Sequence, residues 1–78
     1  MVVNEKNIAL DVWKQVLNIT EIPEEEDTFY SLGGTSLQLV EVLFVLKNRF
    51  SIDCTMRELM ILENFGEFIT LIKEKNKK

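Results

Sequence analysis

A single cysteine and no histidine stand among the 78 residues of this chain. No internal disulfide and no zinc site of the Cys/His type can therefore hold it together. Its stability must come from apolar burial, at a length near the lower limit for which one core suffices. The expectation is one domain over residues 1–78, with a core of about 5–74 and a frayed basic tail at 75–78. Cys54 reads as a small buried hydrophobe or a neutral loop residue. A free thiol without disulfides fits a reducing compartment. No N-terminal basic-plus-apolar signal appears and the apolar runs are too short to span a bilayer, so a cytoplasmic protein away from membranes is expected.

The apolar residues recur at helical spacing. Ala9, Val12, Trp13, Val16 and Leu17 fall at i, i+3, i+4, i+7 and i+8, one continuous stripe on a helix over residues 5–18. Asn4 suits its cap and Glu5 its first turn. Trp13 reads as a core anchor. From Ile19 to Thr35 the pattern lapses: Pro23, Glu24, Glu25, Glu26, Asp27 and the pair Gly33-Gly34 all mark irregular chain. So long a connection in so small a domain indicates a structured or functional loop, with Ile22, Phe29 and Leu32 as the side chains that pin it.

Residues 36–50 form the second helix. Leu39, Val42, Leu43, Leu46 and Phe50 share one side, the core stripe, while Leu37, Val40 and Phe44 share another, roughly opposite, with Glu41 beside them. A small bundle seldom buries one helix on both faces, so the second stripe reads as an interaction surface. Thr55-Met56-Arg57-Glu58 has the Ser/Thr-x-x-Glu pattern that opens a helix, here a short one to about Ile61. Asn64 caps a last helix whose apolar face is Phe65, Phe68, Ile69 and Ile72. No stretch alternates in the manner of a strand. The fold class is all-α: a four-helix bundle, three helices longer and one short, with a long first loop.

Charge narrows the partners. Residues 73–78 hold four bases and one acid, a surplus of three positive charges; with a net charge of −4 overall, residues 1–72 carry −7. Such a body repels phosphate backbones, which argues against nucleic acid, and it favours partners with basic surfaces.

Ser36 lies where the glycine pair meets the second helix. A serine there commonly caps the helix through its oxygen. A hydrolytic nucleophile would need a base within hydrogen-bond reach, and with no histidine nothing in the spacing arranges one. The glycines resemble a nucleophile elbow only loosely, lacking a glycine after the serine and any parallel-sheet context. Gly33, Gly34 and Thr35 could present N–H groups to an anion at the helix start, but no P-loop lysine follows them. A fourth option beside these is a phosphodiester on Ser36 itself, made by an external enzyme that supplies the missing base.

Asp27-Thr28-Phe29-Tyr30-Ser31-Leu32-Gly33-Gly34-Thr35-Ser36-Leu37 resembles the phosphopantetheine attachment motif of carrier proteins. The double glycine and the Asp-x-Phe before it are similar to the peptidyl carrier (thiolation) domains of nonribosomal peptide synthetases. Val12-Trp13 with Leu17, Phe50 and Arg57-Glu58-Leu59 extend the likeness over nearly the whole chain. The resemblance implies that Ser36 receives 4'-phosphopantetheine from coenzyme A through a phosphopantetheinyl transferase, in the loop of Gly33, Gly34 and Thr35. It implies an arm whose thiol carries an aminoacyl or peptidyl group as a thioester between adenylation, condensation and thioesterase-type enzymes. The chain itself would be a monomeric, non-catalytic carrier that docks through Leu37, Val40, Glu41 and Phe44.

The chain departs from that pattern in places. Thr35 stands where the family commonly has histidine or aspartate, and Glu63 where a proline often precedes the last helix. Lys47 and Arg49 offset Glu41, unlike the strongly acidic second helix of fatty-acid carriers, which favours the peptidyl type. An acyl carrier of polyketide or fatty-acid type, or an unmodified helical adaptor, are the alternatives.

Overall fold

The computed structural model describes residues 4–76. It holds four helices, α1 (Glu5–Leu17), α2 (Ser36–Phe50), α3 (Met56–Met60) and α4 (Phe65–Lys75), and no strand among the described residues. The all-α reading and the division into three longer helices and a short one hold. Helix α1 packs on α2 and α4, and α3 packs on α2. No helix among the described residues is long and apolar enough to cross a membrane.

Local signals set the helix ends. Asn4 Oδ1 accepts the Lys6 N–H at 2.8 Å and opens α1. At the other ends of α1 and α2 the chain turns through Asn18 and Ser51, both left-handed, with φ of 56° and 57°. Asparagine is the usual substitute for glycine at such a position; Ser51 is not. The Thr55–Glu58 box forms as expected: Thr55 Oγ1 accepts the Glu58 N–H at 3.1 Å and Glu58 accepts the Thr55 N–H at 2.9 Å. Asn64 caps α4 by accepting the Glu67 N–H at 2.9 Å. Glu63, where a proline is common, contributes an N–H that proline lacks, and Glu67 Oε1 accepts it at 2.9 Å.

An aromatic cluster centres the core. The Trp13 indole meets Phe29 edge-on at 5.4 Å between centroids, Phe65 tilted at 4.8 Å and Phe68 stacked at 5.6 Å. Such pairs add to the burial of their large rings. Val12, Val42, Leu46 and Ile72 fill the space around them without solvent contact. On α2, Leu39, Val42 and Leu46 are buried, while Leu43 and Phe50 are half-buried against the core. The core stripe is thus narrower than its spacing implied, because the neighbours of α2 cover its centre and leave the flanks partly wet. Cys54 is buried, and that burial pushes its thiol up to about 11, which keeps it neutral.

The long loop is structured and tied to α4. The Asp27 and Glu25 carbonyls accept the N–H groups of Phe65 and Gly66, at 2.8 and 2.9 Å. These are first-turn donors that have no partner inside a helix. A Cβ on Gly66 would lie 3.3 Å from Glu25 Cβ, so the small residue also admits the loop. The acidic run therefore presents exposed Glu24, Glu25 and Glu26 side chains while its backbone caps a helix.

Two expectations need correction. Of the three loop pins, Phe29 is buried and Leu32 packs on the core, but Ile22 is 67% exposed. Its neighbour Pro23 takes the inward position instead. The basic tail does not fray from residue 75 either: Lys75 is the last residue of α4, and its Nζ lies 2.7 Å from Glu58 Oε2 on α3. That pair raises the lysine and lowers the carboxylate from their ordinary values. Lys77 and Lys78 lie outside the described residues.

Candidate functional site

The turn into α2 is built on Phe29. Its carbonyl accepts the Gly34 N–H at 3.0 Å, and the Tyr30 carbonyl accepts the Gly33 N–H at 3.0 Å. The two glycines serve different ends. Gly33 has φ of +93°, which an L side chain rarely adopts, yet open space surrounds it. Gly34 has no such φ, but a Cβ there would sit 2.3 Å from the Phe29 ring and 2.8 Å from its carbonyl oxygen. Since Phe29 is wedged against Trp13, that ring cannot readily give way. Gly34→Ala is expected to cost roughly 1–3 kcal/mol as overpacking, and Gly33→Ala about 1–2 kcal/mol as backbone strain. Urea unfolding of both variants checks this; a harmless Gly34→Ala would show that the turn can move off Phe29.

Thr35, not Ser36, caps the helix. Thr35 has extended backbone, and its Oγ1 accepts the Gln38 N–H at 3.2 Å while Gln38 Oε1 accepts the Thr35 N–H at 3.0 Å. The signature of this capping box, Thr-x-x-Gln at residues 35–38, stands in the sequence, one residue before the serine expected to cap. Gln38 does more: its Nε2 donates to the Val16 carbonyl at 3.2 Å, tying the start of α2 to the last turn of α1. The entry angle of α2 is thereby set from two sides.

These bonds change the account of the anion site. The N–H groups of Gly33, Gly34 and Thr35 are all used within the turn, so they are not free to cradle an anion. The donors left over in the first turn are the N–H groups of Ser36 and Leu37, which make no hydrogen bond among the described residues. Ser36, the first residue of α2, is exposed, and its hydroxyl has no hydrogen-bond partner among the described residues.

The second stripe of α2 lies in the open. Leu37 is 74% exposed, Val40 46% and Phe44 71%. With Glu41, also exposed, and Val45 they line a shallow groove of about 280 Å³. Ser36 and Val40, four residues apart, share a side of α2, so the hydroxyl stands at the N-terminal end of that apolar surface.

Residues 8–72 match the family described as the phosphopantetheine attachment site. The chain belongs to that family. Tyrocidine synthase 3 of Brevibacillus parabrevis is 35% identical over 63 residues, 81% of this chain, and a nonribosomal peptide synthetase of Aspergillus flavus, asaC, is 38% identical over 48 residues, 62% of it. The chain spans only 1% of the first protein and 5% of the second. The family's domains carry 4'-phosphopantetheine covalently. The present site fits that group: an exposed, unbonded hydroxyl at a helix start, beside two first-turn N–H groups that suit a phosphodiester oxygen.

Proposed function

We propose that this chain is a carrier domain of nonribosomal peptide synthesis, bearing 4'-phosphopantetheine on Ser36 Oγ. The observation that carries the reading is the state of that hydroxyl, exposed and unbonded beside the turn of Gly33 and Gly34, with Thr35 doing the capping. Ser36 Oγ would form the ester to phosphorus, losing its proton, while coenzyme A gives up its 3',5'-adenosine bisphosphate portion. The base for that proton would come from a phosphopantetheinyl transferase, since among the described residues no side chain is hydrogen-bonded to Ser36 Oγ. Ser36 and Leu37 would offer their N–H groups to the phosphodiester, and the positive end of α2 favours its charge. When bound, the group supplies a flexible arm whose thiol holds an aminoacyl or peptidyl cargo as a thioester.

The chain's remaining contribution is presentation. Leu37, Val40 and Phe44 would bury against adenylation, condensation and thioesterase-type domains in turn, and Glu41 would meet a basic residue. So small a stripe suits partners that must separate again, because a modest contact area allows fast release. The domain itself performs no catalysis in this reading. The peptidyl type is supported by the relative from Aspergillus flavus, a nonribosomal peptide synthetase.

Incubation with coenzyme A, magnesium and a broad-specificity phosphopantetheinyl transferase is expected to add one phosphopantetheine per chain. Intact mass reads the adduct and fragmentation assigns it to Ser36. An unmodified chain beside a fully loaded control carrier would reject the proposal.

A further inference from the structure

The carrier reading makes no use of the groove between α3 and α4. Leu62 and Leu71 form its floor, Ile61 stands at its lip with 68% of its surface exposed, and the open volume is about 340 Å³. Three carboxylates, Glu58, Glu67 and Glu74, line it together with Thr70. Lys75 pairs with Glu58, Glu67 accepts the Glu63 N–H, and the Glu74 carboxylate makes neither an ion pair nor a hydrogen bond among the described residues. Among the described residues, three carboxylates against one ammonium leave the rim with a surplus of two negative charges. None of these residues belongs to the groove of Leu37, Val40, Glu41, Phe44 and Val45 on α2.

An apolar floor between two helices suits the apolar face of a third helix. The acidic surplus along the rim then selects what flanks that face. An acidic segment would meet like charges at the rim, and a second copy of this chain, with its net charge of −4, would be repelled. A segment with cations beside its apolar stripe gains on both counts. We propose that the α3–α4 groove is a second docking surface, taking a basic amphipathic helix of a partner and leaving the Ser36 face of α2 free. Such a contact holds the carrier near its enzymes while the α2 stripe moves between them. The proposal does not depend on the arm, so loading of Ser36 can fail without touching it.

The test uses a synthetic peptide of about 14 residues, leucine at i, i+3, i+4 and i+7 and lysine elsewhere, titrated into the isotope-labelled chain. Amide shifts are expected to concentrate at Glu58, Ile61, Leu62, Thr70, Leu71 and Glu74, saturate, and weaken with added salt. Glu74→Lys and Ile61→Ser should each weaken binding by roughly fivefold. Both side chains are exposed, so the variants should melt as the parent does. Shifts confined to the α2 stripe, equal binding of a peptide with glutamate in place of lysine, self-association through the groove, or no binding at all would each overturn the proposal.

Discussion

Alanine at position 36 is expected to abolish phosphopantetheine loading completely and to leave thermal stability unchanged. The two halves of that result have separate physical causes. Loading disappears because the ester needs Oγ and no neighbouring hydroxyl stands at the same point of the helix. Stability persists because Oγ takes part in no hydrogen bond among the described residues, the side chain is exposed, and alanine is the best helix former. Thr35→Ala makes the opposite prediction. It removes the acceptor of the Gln38 N–H and half of a capping box, a loss of about 1 kcal/mol, or roughly 4–8 °C in a domain of this size, while loading continues. Intact mass and a thermal melt on both variants decide the matter. Loading of Ser36→Ala would move the attachment site elsewhere; loss of loading in a folded Thr35→Ala would give Thr35 a role beyond the cap.

Aspartate at Val42 is expected to unfold the domain, whereas aspartate at Val40, two residues away, should leave the fold intact and damage docking. Val42 has no exposed surface and Val40 has 46%. An unpaired carboxylate in the first position costs several kcal/mol. That is a large part of the roughly 4–12 kcal/mol expected for 78 residues in all. At Val40 the charge stays in water, and the cost falls on whichever partner must desolvate it. Far-ultraviolet circular dichroism should show a lost cooperative melt for Val42→Asp alone, and a condensation or adenylation partner should turn over Val40→Asp poorly. Equal melting of the two variants would mean that the α2 stripe is part of the core. Leu43, half-buried, is the less severe place for the charge.

What could be read from the residues alone was what depends on near neighbours along the chain. Helical spacing placed α1, α2 and α4, and the Thr55–Glu58 capping pattern placed the short α3, since a residue meets its i+3 and i+4 partners whatever the rest of the chain does. The same spacing separated the outer stripe of α2 from the core stripe, and the exposures of Leu37, Val40 and Phe44 agree with it. The attachment motif was equally local. So was the capping box of Thr35 and Gln38, which was overlooked although its signature lies four residues long in the sequence.

The tertiary structure alone decided matters between residues far apart in sequence. Whether Ile22 or Pro23 turned inwards depended on where the core had room, and Pro23 took the place. Gly34 reads in sequence as a source of backbone freedom, but its necessity comes from the Phe29 ring, held by Trp13 on another helix. The carbonyls of Glu25 and Asp27 cap α4 some forty residues later because its first N–H groups have no partner in their own helix. Lys75, expected in a loose tail, is held by Glu58 of α3. Spacing along the chain determines which side chains share a face; only the packed chain determines which backbone groups and rings meet across it, because those contacts depend on distances that no local pattern encodes.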